Sequence, residues 1–248
     1  MKLNPFRFIY KLISKIRLKI WVHKYKSFFY QKRGLEIGGP TIMFKKHKLL
    51  PLYTLCKSLD GCNFSSNTIW EGQIIKAYVY EEGKPSGHQY ICEADNLSII
   101  PDEEYDFILS CHSLEHIANP IKALLEWKRV LKPGGKLCII VPDKTYTFDH
   151  KREYTTFSHL VEDYKNKKDE TDLTHLEEIL ELHDLTKDAG VDGEEKFKAR
   201  SIANFENRCL HHHVYDLQLL KEVTSYCKMT PISSFSFPPF NNLILVSK

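Results

Sequence analysis

The stretch from residue 105 to residue 142 constrains this chain most. Residues 107–109 (Phe-Ile-Leu) are a short apolar run of the kind buried in a sheet. Residues 119–131 then carry Ile121, Leu124, Leu125 and Val130 at helical spacing, and Lys132-Pro-Gly-Gly is a stop and turn. A second apolar run, 137–141, ends at Pro142. A strand, a helix and a second strand in so short a space form a parallel crossover unit, because two parallel strands need a long connection that covers one face of the sheet.

The same alternation extends outward. Short apolar strands are expected at 34–37 and 90–94, with two more near 232–237 and 243–246. Asp216 is placed to cap a helix carrying Leu217, Leu219, Leu220 and Val223. Residues 81–87 read as a loop, whereas 49–72 show no pattern that assigns them. Residues 150–205 are densely charged, with a helix predicted over 173–185 on the stripe Leu176, Ile179, Leu180 and Leu182, and they read as an insertion. The fold class expected is therefore α/β, with a doubly wound, mostly parallel sheet. Its domain spans residues 34–248 and includes a cap at 150–213.

The net charge of +3 conceals an uneven distribution. Residues 1–33 hold ten Lys or Arg and no acid, which leaves 25 basic and 32 acidic residues in the rest, a net of −7. A basic footprint across the domain is excluded, and nucleic acid is not an expected partner. Within the basic segment Phe6, Ile9, Ile13, Ile16 and Ile20 share one helical face, while Arg7, Lys11, Lys15 and Lys19 follow along another. With Trp21, Phe28, Phe29 and Tyr30 nearby, this amphipathic helix suits the surface of an anionic membrane; packed on the domain as a lid, it suits solvated lysines equally. No run is long and apolar enough to span a bilayer. Seven cysteines without a C-x-x-C pair argue for reduced thiols and a cytoplasmic location, peripheral on the inner membrane face if the helix binds lipid. Oligomeric state is not legible.

Ligands of such sheets bind beyond the carboxyl ends of the strands. Three elements are expected there: Leu35-Glu-Ile-Gly-Gly-Pro40, Glu93-Ala-Asp95-Asn-Leu97, and Tyr105-Asp-Phe-Ile-Leu-Ser-Cys-His-Ser-Leu-Glu-His116 followed by Arg129-Val-Leu-Lys-Pro-Gly-Gly-Lys-Leu137. In their order and spacing over residues 34–142 they resemble the class I S-adenosylmethionine-dependent methyltransferases, a seven-strand α/β family. The resemblance implies S-adenosylmethionine as methyl donor and an oxygen or nitrogen acceptor on a small molecule, a sugar or a lipid-linked intermediate. It also implies that Glu36, Gly38 and Gly39 line the methionine part, that Asp95 and Leu97 flank the adenine, and that Ser110, Cys111 and His112 lie near the transferable methyl. Family members commonly insert substrate elements after the fifth strand, which brings Phe148, His150, Arg152 and Tyr154 toward the acceptor.

Two departures from the family pattern stand out. Pro40 directly follows the two glycines, removing a backbone donor. The acid that holds the ribose at the end of the second strand has no clear match, with Asp60 and Glu71 both candidates. For a hydroxyl or amine acceptor a nearby base helps remove the proton, and His112, His116, Asp143 and the run His211 to His213 are the candidates, the run also reading as a polar lip around the pocket. Two other readings stand beside the enzyme. One is a non-catalytic cofactor-binding or scaffold protein. The other is a zinc hydrolase using His112-Ser-Leu-Glu115-His116, an H-x-x-E-H pattern that requires both histidines on one helix.

Overall fold

The apolar runs fold into one eight-stranded sheet in a computed structural model that describes residues 5–70, 72–74 and 77–248, with side chains from residue 12 onward. In chain order the strands are β1 (Arg33–Ile37), β2 (Ser58–Asn63), a small separate hairpin of β3 (Asn67–Thr68) and β4 (Gly72–Gln73), β5 (Ala77–Tyr78), β6 (Gly87–Ile91), β7 (Tyr105–Cys111), β8 (Leu131–Pro142), β9 (Thr230–Phe237) and β10 (Asn241–Ser247). The sheet order is β5-β6-β2-β1-β7-β8-β10-β9. The pairs β6-β2, β2-β1, β1-β7 and β7-β8 are parallel, whereas β5-β6, β8-β10 and β10-β9 are antiparallel. The short edge strand β5 thus brings the sheet to eight strands.

Alternation along the strands sorts side chains onto two covered faces. Leu35, Ile37, Leu137, Ile139, Val141, Ile244 and Val246 join one core, beneath α2 (Pro120–Val130), α3 (Phe157–Lys165) and α7 (Leu217–Tyr226), the last packed on β9 and β10. Cys138, Ile140, Leu243 and Leu245 join the other, with Leu18, Trp21, Phe44 and Tyr53. Asn119 caps α2 by accepting from Lys122 N (3.1 Å), and Asp216 caps α7 by accepting from Leu219 N (2.7 Å). The Lys132–Gly135 turn survives as a bulge within β8: Tyr105 faces Leu131, but Phe107 already faces Lys136.

Helices alternate with strands less regularly than the sequence predicts. Residues 38–57, between β1 and β2, form only two 3-10 turns, Ile42–Phe44 and Leu52–Thr54, and the β3–β4 hairpin lies between β2 and β5. β2 itself falls inside the unassigned 49–72 stretch, where a mid-strand Asp60 and Gly61 hide its apolar pattern. In the insertion the predicted helix is shorter, α4 (Leu176–Leu182); it is followed by α5 (Glu194–Ile202) and the single turn α6 (Asn204–Asn207). Ile179, Phe197 and Leu210 make a small separate core there.

The N-terminal helix α1 (Pro5–Tyr25) docks on the sheet through a different face from the one predicted. Ser14, Leu18, Trp21 and Tyr25 are buried, and Trp21 Nε1 donates to Ser233 Oγ (3.2 Å). Ile13, Ile16 and Ile20 stay in solvent, half or more exposed. Trp21 and Phe29 are thus core residues and unavailable to a lipid surface, while the Phe6 and Ile9 side chains lie outside those described.

Candidate active site

The β1 end is built around a carboxylate that turns inward. Strand alternation sends Leu35 and Ile37 to one core and Glu36 to the opposite face, where it is fully buried. Tyr53 and Tyr78 hydroxyls donate to Glu36 Oε2 at 2.6 and 2.7 Å, and Thr41 N donates to Oε1 at 3.2 Å. Burial raises its pKa against the pull of these donors. Glu36 therefore clamps the turn from within the core. Gly38 has φ +75°, and a Cβ there would meet Ser113 Oγ at 2.3 Å. A Cβ on Gly39 would strike Tyr78 and Glu36. Both glycines are required by this close packing.

At the β2 end stands Asn63, in the place where an acid is expected. Its Nδ2 donates to Gly39 O (3.1 Å), joining the glycine turn to β2, and its Oδ1 takes no hydrogen bond among the described residues. Asp60 is a structural group instead, accepting from Arg33 (2.9 Å), His88 N (2.8 Å) and the Tyr105 hydroxyl (2.8 Å). Glu71 lies outside the described residues. Beyond β6, Asp95 is nearly buried and receives Lys122 Nζ on Oδ2 (3.0 Å), leaving Oδ1 to accept. Leu97 departs from its expected place beside an adenine: it is fully buried in the core, and its main chain is held by Glu126 and Arg129. Ser110 is likewise fully buried in the sheet, and Cys111 faces the core on the α1 side, where burial pushes its thiol up. Asp95 Oδ1 and Asn63 Oδ1 thus present two acceptors, a set that fits the exocyclic amine and a hydroxyl of a nucleoside. Arg208 of the cap lies across these strand ends, paired with Glu93 (2.5 Å) and stacked on Phe64. Trp70 covers His116 with ring centroids 5.4 Å apart.

Chemistry gathers where β7 and β8 end. A cavity of about 10 Å³, room for about one water, is lined by Glu115, Pro142, Lys144, Asp149, His211, His213, Val214 and Tyr215. His211 Nδ1 lies 2.5 Å from Asp149 Oδ2, and Arg152 holds Asp149 Oδ1 at 3.1 Å. Burial opposes the charge on His211, but Asp149 and Glu115 more than offset it and raise its pKa. Burial likewise disfavours the Asp149 anion, yet His211 and Arg152 hold its pKa well below the carboxylate range. Burial pushes Glu115 up to about 7, with His211 pulling the other way, and neither Glu115 oxygen has a hydrogen-bond partner. The Tyr215 hydroxyl and His213 Nδ1 are also buried without partners. Three unpaired polar groups around one cavity are the mark of a site that receives a polar ligand.

The other predicted bases fare unequally. His112, with φ 52° at the end of β7, donates through Nε2 to Asn241 Oδ1 (2.9 Å), and burial brings it down to about 4. His116 is lowered further, by burial and then by His211, with Nδ1 on Leu210 O (3.1 Å). Asp143 caps a 3-10 turn through Thr145 N (3.0 Å). The histidine run is no lip: His212 and His213 are buried, and His211 Nδ1 is committed to Asp149. His112 and His116 do not share a helix, since only Leu114–His116 form a 3-10 turn; the metal-capable group here is Glu115, His116 and His211, without His112. The H-x-x-E-H reading fails on that geometry. Phe148 stacks on His183 and lies beside His211, so it does border the site, whereas Arg152 is buried behind Asp149 and His150 pairs with Asp184. Sequence reasoning missed Asp149 and singled out Glu115 only within the H-x-x-E-H metal pattern. Asp149, just before the charged insertion that begins at residue 150, had no motif to mark it.

Residues 50–139 match the model of a methyltransferase domain. Over 61 residues the chain is 38% identical to the sterol 4-C-methyltransferase of Caenorhabditis elegans, covering 24% of this chain and 18% of that protein. Over 54 residues it is 37% identical to an uncharacterized methyltransferase of Schizosaccharomyces pombe, covering 22% and 19%. The chain thus spans under a fifth of the length of the curated relatives it matches. Among solved structures, an S-adenosylmethionine-dependent methyltransferase of Aquifex aeolicus superposes with TM-score 0.50 at 16% identity, covering 99% of both chains. One from Mesorhizobium loti does so with TM-score 0.50 at 10% identity, covering 88% of this chain and 92% of that one. At these identities the likeness is one of fold.

Proposed function

We propose that the chain is a class I S-adenosylmethionine-dependent methyltransferase, on its match to a methyltransferase-domain model over residues 50–139 and the likeness of its fold, and that it moves a methyl group to an oxygen or nitrogen of a lipid-linked acceptor. The observation that carries the reading is the Asp149–His211 pair beside Glu115 at the ends of β7 and β8. S-adenosylmethionine supplies an electrophilic methyl, so the chain need only hold the cofactor, align the acceptor and take up a proton. Asp95 and Asn63 would hold the nucleoside, with the Gly38–Gly39 turn beside it and His112 toward the methyl end. Asp149 fixes the His211 ring through Nδ1, leaving Nε2 to receive the acceptor's proton. Glu115 and Tyr215 would orient the acceptor through the atoms that now lack partners. A cavity of about 10 Å³ does not hold an acceptor, so the cap at 150–213 must open to admit it.

The lipid part of the reading rests on α1. Leu12, Ile13, Ile16 and Ile20 are exposed among Lys15, Arg17 and Lys19, as on a helix lying in the headgroup region of an anionic bilayer. The sterol in the nematode relative's name is in keeping with a lipid acceptor. No helix among the described residues is long and apolar enough to cross a membrane.

A thermal-shift titration with S-adenosylmethionine and S-adenosylhomocysteine tests the cofactor site. At a hundredfold excess over Kd, native-state binding adds about 2.7 kcal/mol, or roughly 5 to 10 °C for a chain of this size. The rise should vanish in Asp95→Ala. No rise at millimolar ligand in the wild type would overturn the reading.

A further inference from the structure

We propose that His159, Asp163, His175 and His213 form a structural zinc site that ties the cap to the domain. The four come from separate parts of the chain: His159 and Asp163 one turn apart on α3, His175 at the start of α4, and His213 in the extended segment before α7. One nitrogen or oxygen from each lies within 4.8 Å of all the others. His159 Nε2 is 3.0 Å from His175 Nε2 and 3.2 Å from Asp163 Oδ2, which is 3.7 Å from His213 Nε2. A tetrahedral ion with bonds of about 2.0–2.1 Å has ligand-to-ligand edges of about 3.3–3.4 Å, and these distances bracket that value.

Hydrogen bonding within the cluster leaves it incompletely satisfied. The buried Asp163 Oδ2 has no hydrogen-bond partner, and His213 Nε2 reaches only the Ala118 carbonyl oxygen, at 3.3 Å. Two ring nitrogens facing each other share one proton at most, so a neutral His159 Nε2–H cannot serve both His175 and Asp163 well. A buried carboxylate oxygen without a donor among three imidazoles calls for a cation.

The surroundings suit a metal. Glu178 Oε2, 3.7 Å from His175 Nδ1, is placed as an outer partner of that ligand, and the Asp163 main-chain carbonyl is fixed by Lys168 N (3.0 Å) and Asn119 Nδ2 (3.4 Å). His159, about a third exposed at its side chain, gives an entry path. Three imidazoles and one carboxylate favour zinc, and four protein ligands leave no open position, which makes the site structural. The smaller group of Glu115, His116 and His211 is distinct, with His211 Nδ1 already bound to Asp149.

The test is metal uptake by the full chain after chelator treatment, titrated with Zn(II) and, separately, with Co(II) for its tetrahedral absorption bands. One equivalent should bind, and Zn(II) should raise Tm. His159→Ala and the isosteric Asp163→Asn should each weaken uptake by more than the roughly 10–100-fold cost of losing an outer partner, whereas His116→Ala should retain it. The proposal is overturned by the absence of stoichiometric uptake, by uptake that survives in both His159→Ala and Asp163→Asn, or by uptake lost in His116→Ala alone.

Discussion

His211 and Asp149 divide the work of one base. An imidazole buried this deeply would by itself be a weak base, as His112 at about 4 illustrates, and the Asp149 carboxylate at 2.5 Å is what restores basicity to His211. Only the neutral ring accepts a proton, so kcat should rise with pH along a limb whose midpoint lies above the ordinary 6.5 of histidine. Asp149→Asn removes the larger of the two charges that raise His211, leaving Glu115 alone against burial. The rate should then fall by about 10²–10⁴-fold and the limb should move to lower pH. A lower rate with an unmoved limb would place the titrating base elsewhere. The sequence indicated His211 but could not show its partner 62 residues away, because a pairing across an insertion leaves no local pattern. Glu36 shows the opposite failure: its motif was legible, while its inward orientation depended on Tyr53 and Tyr78, which the motif does not contain.

The elements best predicted were those whose stability is local. α2 has a cap, a proline at its first position and an apolar stripe, and β8 and β10 contain the apolar runs 137–141 and 243–246. β2 escaped notice because Asp60 is satisfied by Arg33, His88 and Tyr105, partners supplied only by the tertiary fold. α1 presented two apolar faces in sequence, and the one without the tryptophan was read as the packed or lipid-facing stripe. The structure gives the faces separate tasks: Leu18, Trp21 and Tyr25 hold the helix to the sheet, and Ile13, Ile16 and Ile20 remain outside. Replacing those three isoleucines with glutamate should abolish binding to phosphatidylserine-containing vesicles in a sedimentation assay while leaving Tm within a few degrees. Vesicle binding equal to the wild type would remove the lipid argument. Leu18→Ala acts on the other face and should instead cost about 2–5 kcal/mol of stability.

At the scale of the whole molecule, the site is assembled from groups that weaken the fold. Glu115 is fully buried with both oxygens unpaired, and its pKa stands at about 7 against an ordinary 4.5. Below pH 4.5 the group is protonated in folded and unfolded chains alike and costs nothing. As pH rises the unfolded chain ionises first, so stability is lost between about 4.5 and 7 and is level above that. At 1.36 kcal/mol per pKa unit the loss at pH 8 is on the order of 3 kcal/mol. Glu115→Gln abolishes the titration. Its Tm relative to the wild type should therefore climb from pH 4.5 to pH 8 by roughly 5 to 10 °C, even as methyl transfer falls. A relative Tm independent of pH would mean that Glu115 ionises normally and is not the desolvated acid of the site. Such a cost is tolerable because α2, α7 and the two-faced sheet supply stability away from the cavity, and it buys a carboxylate poised near neutral pH beside His211.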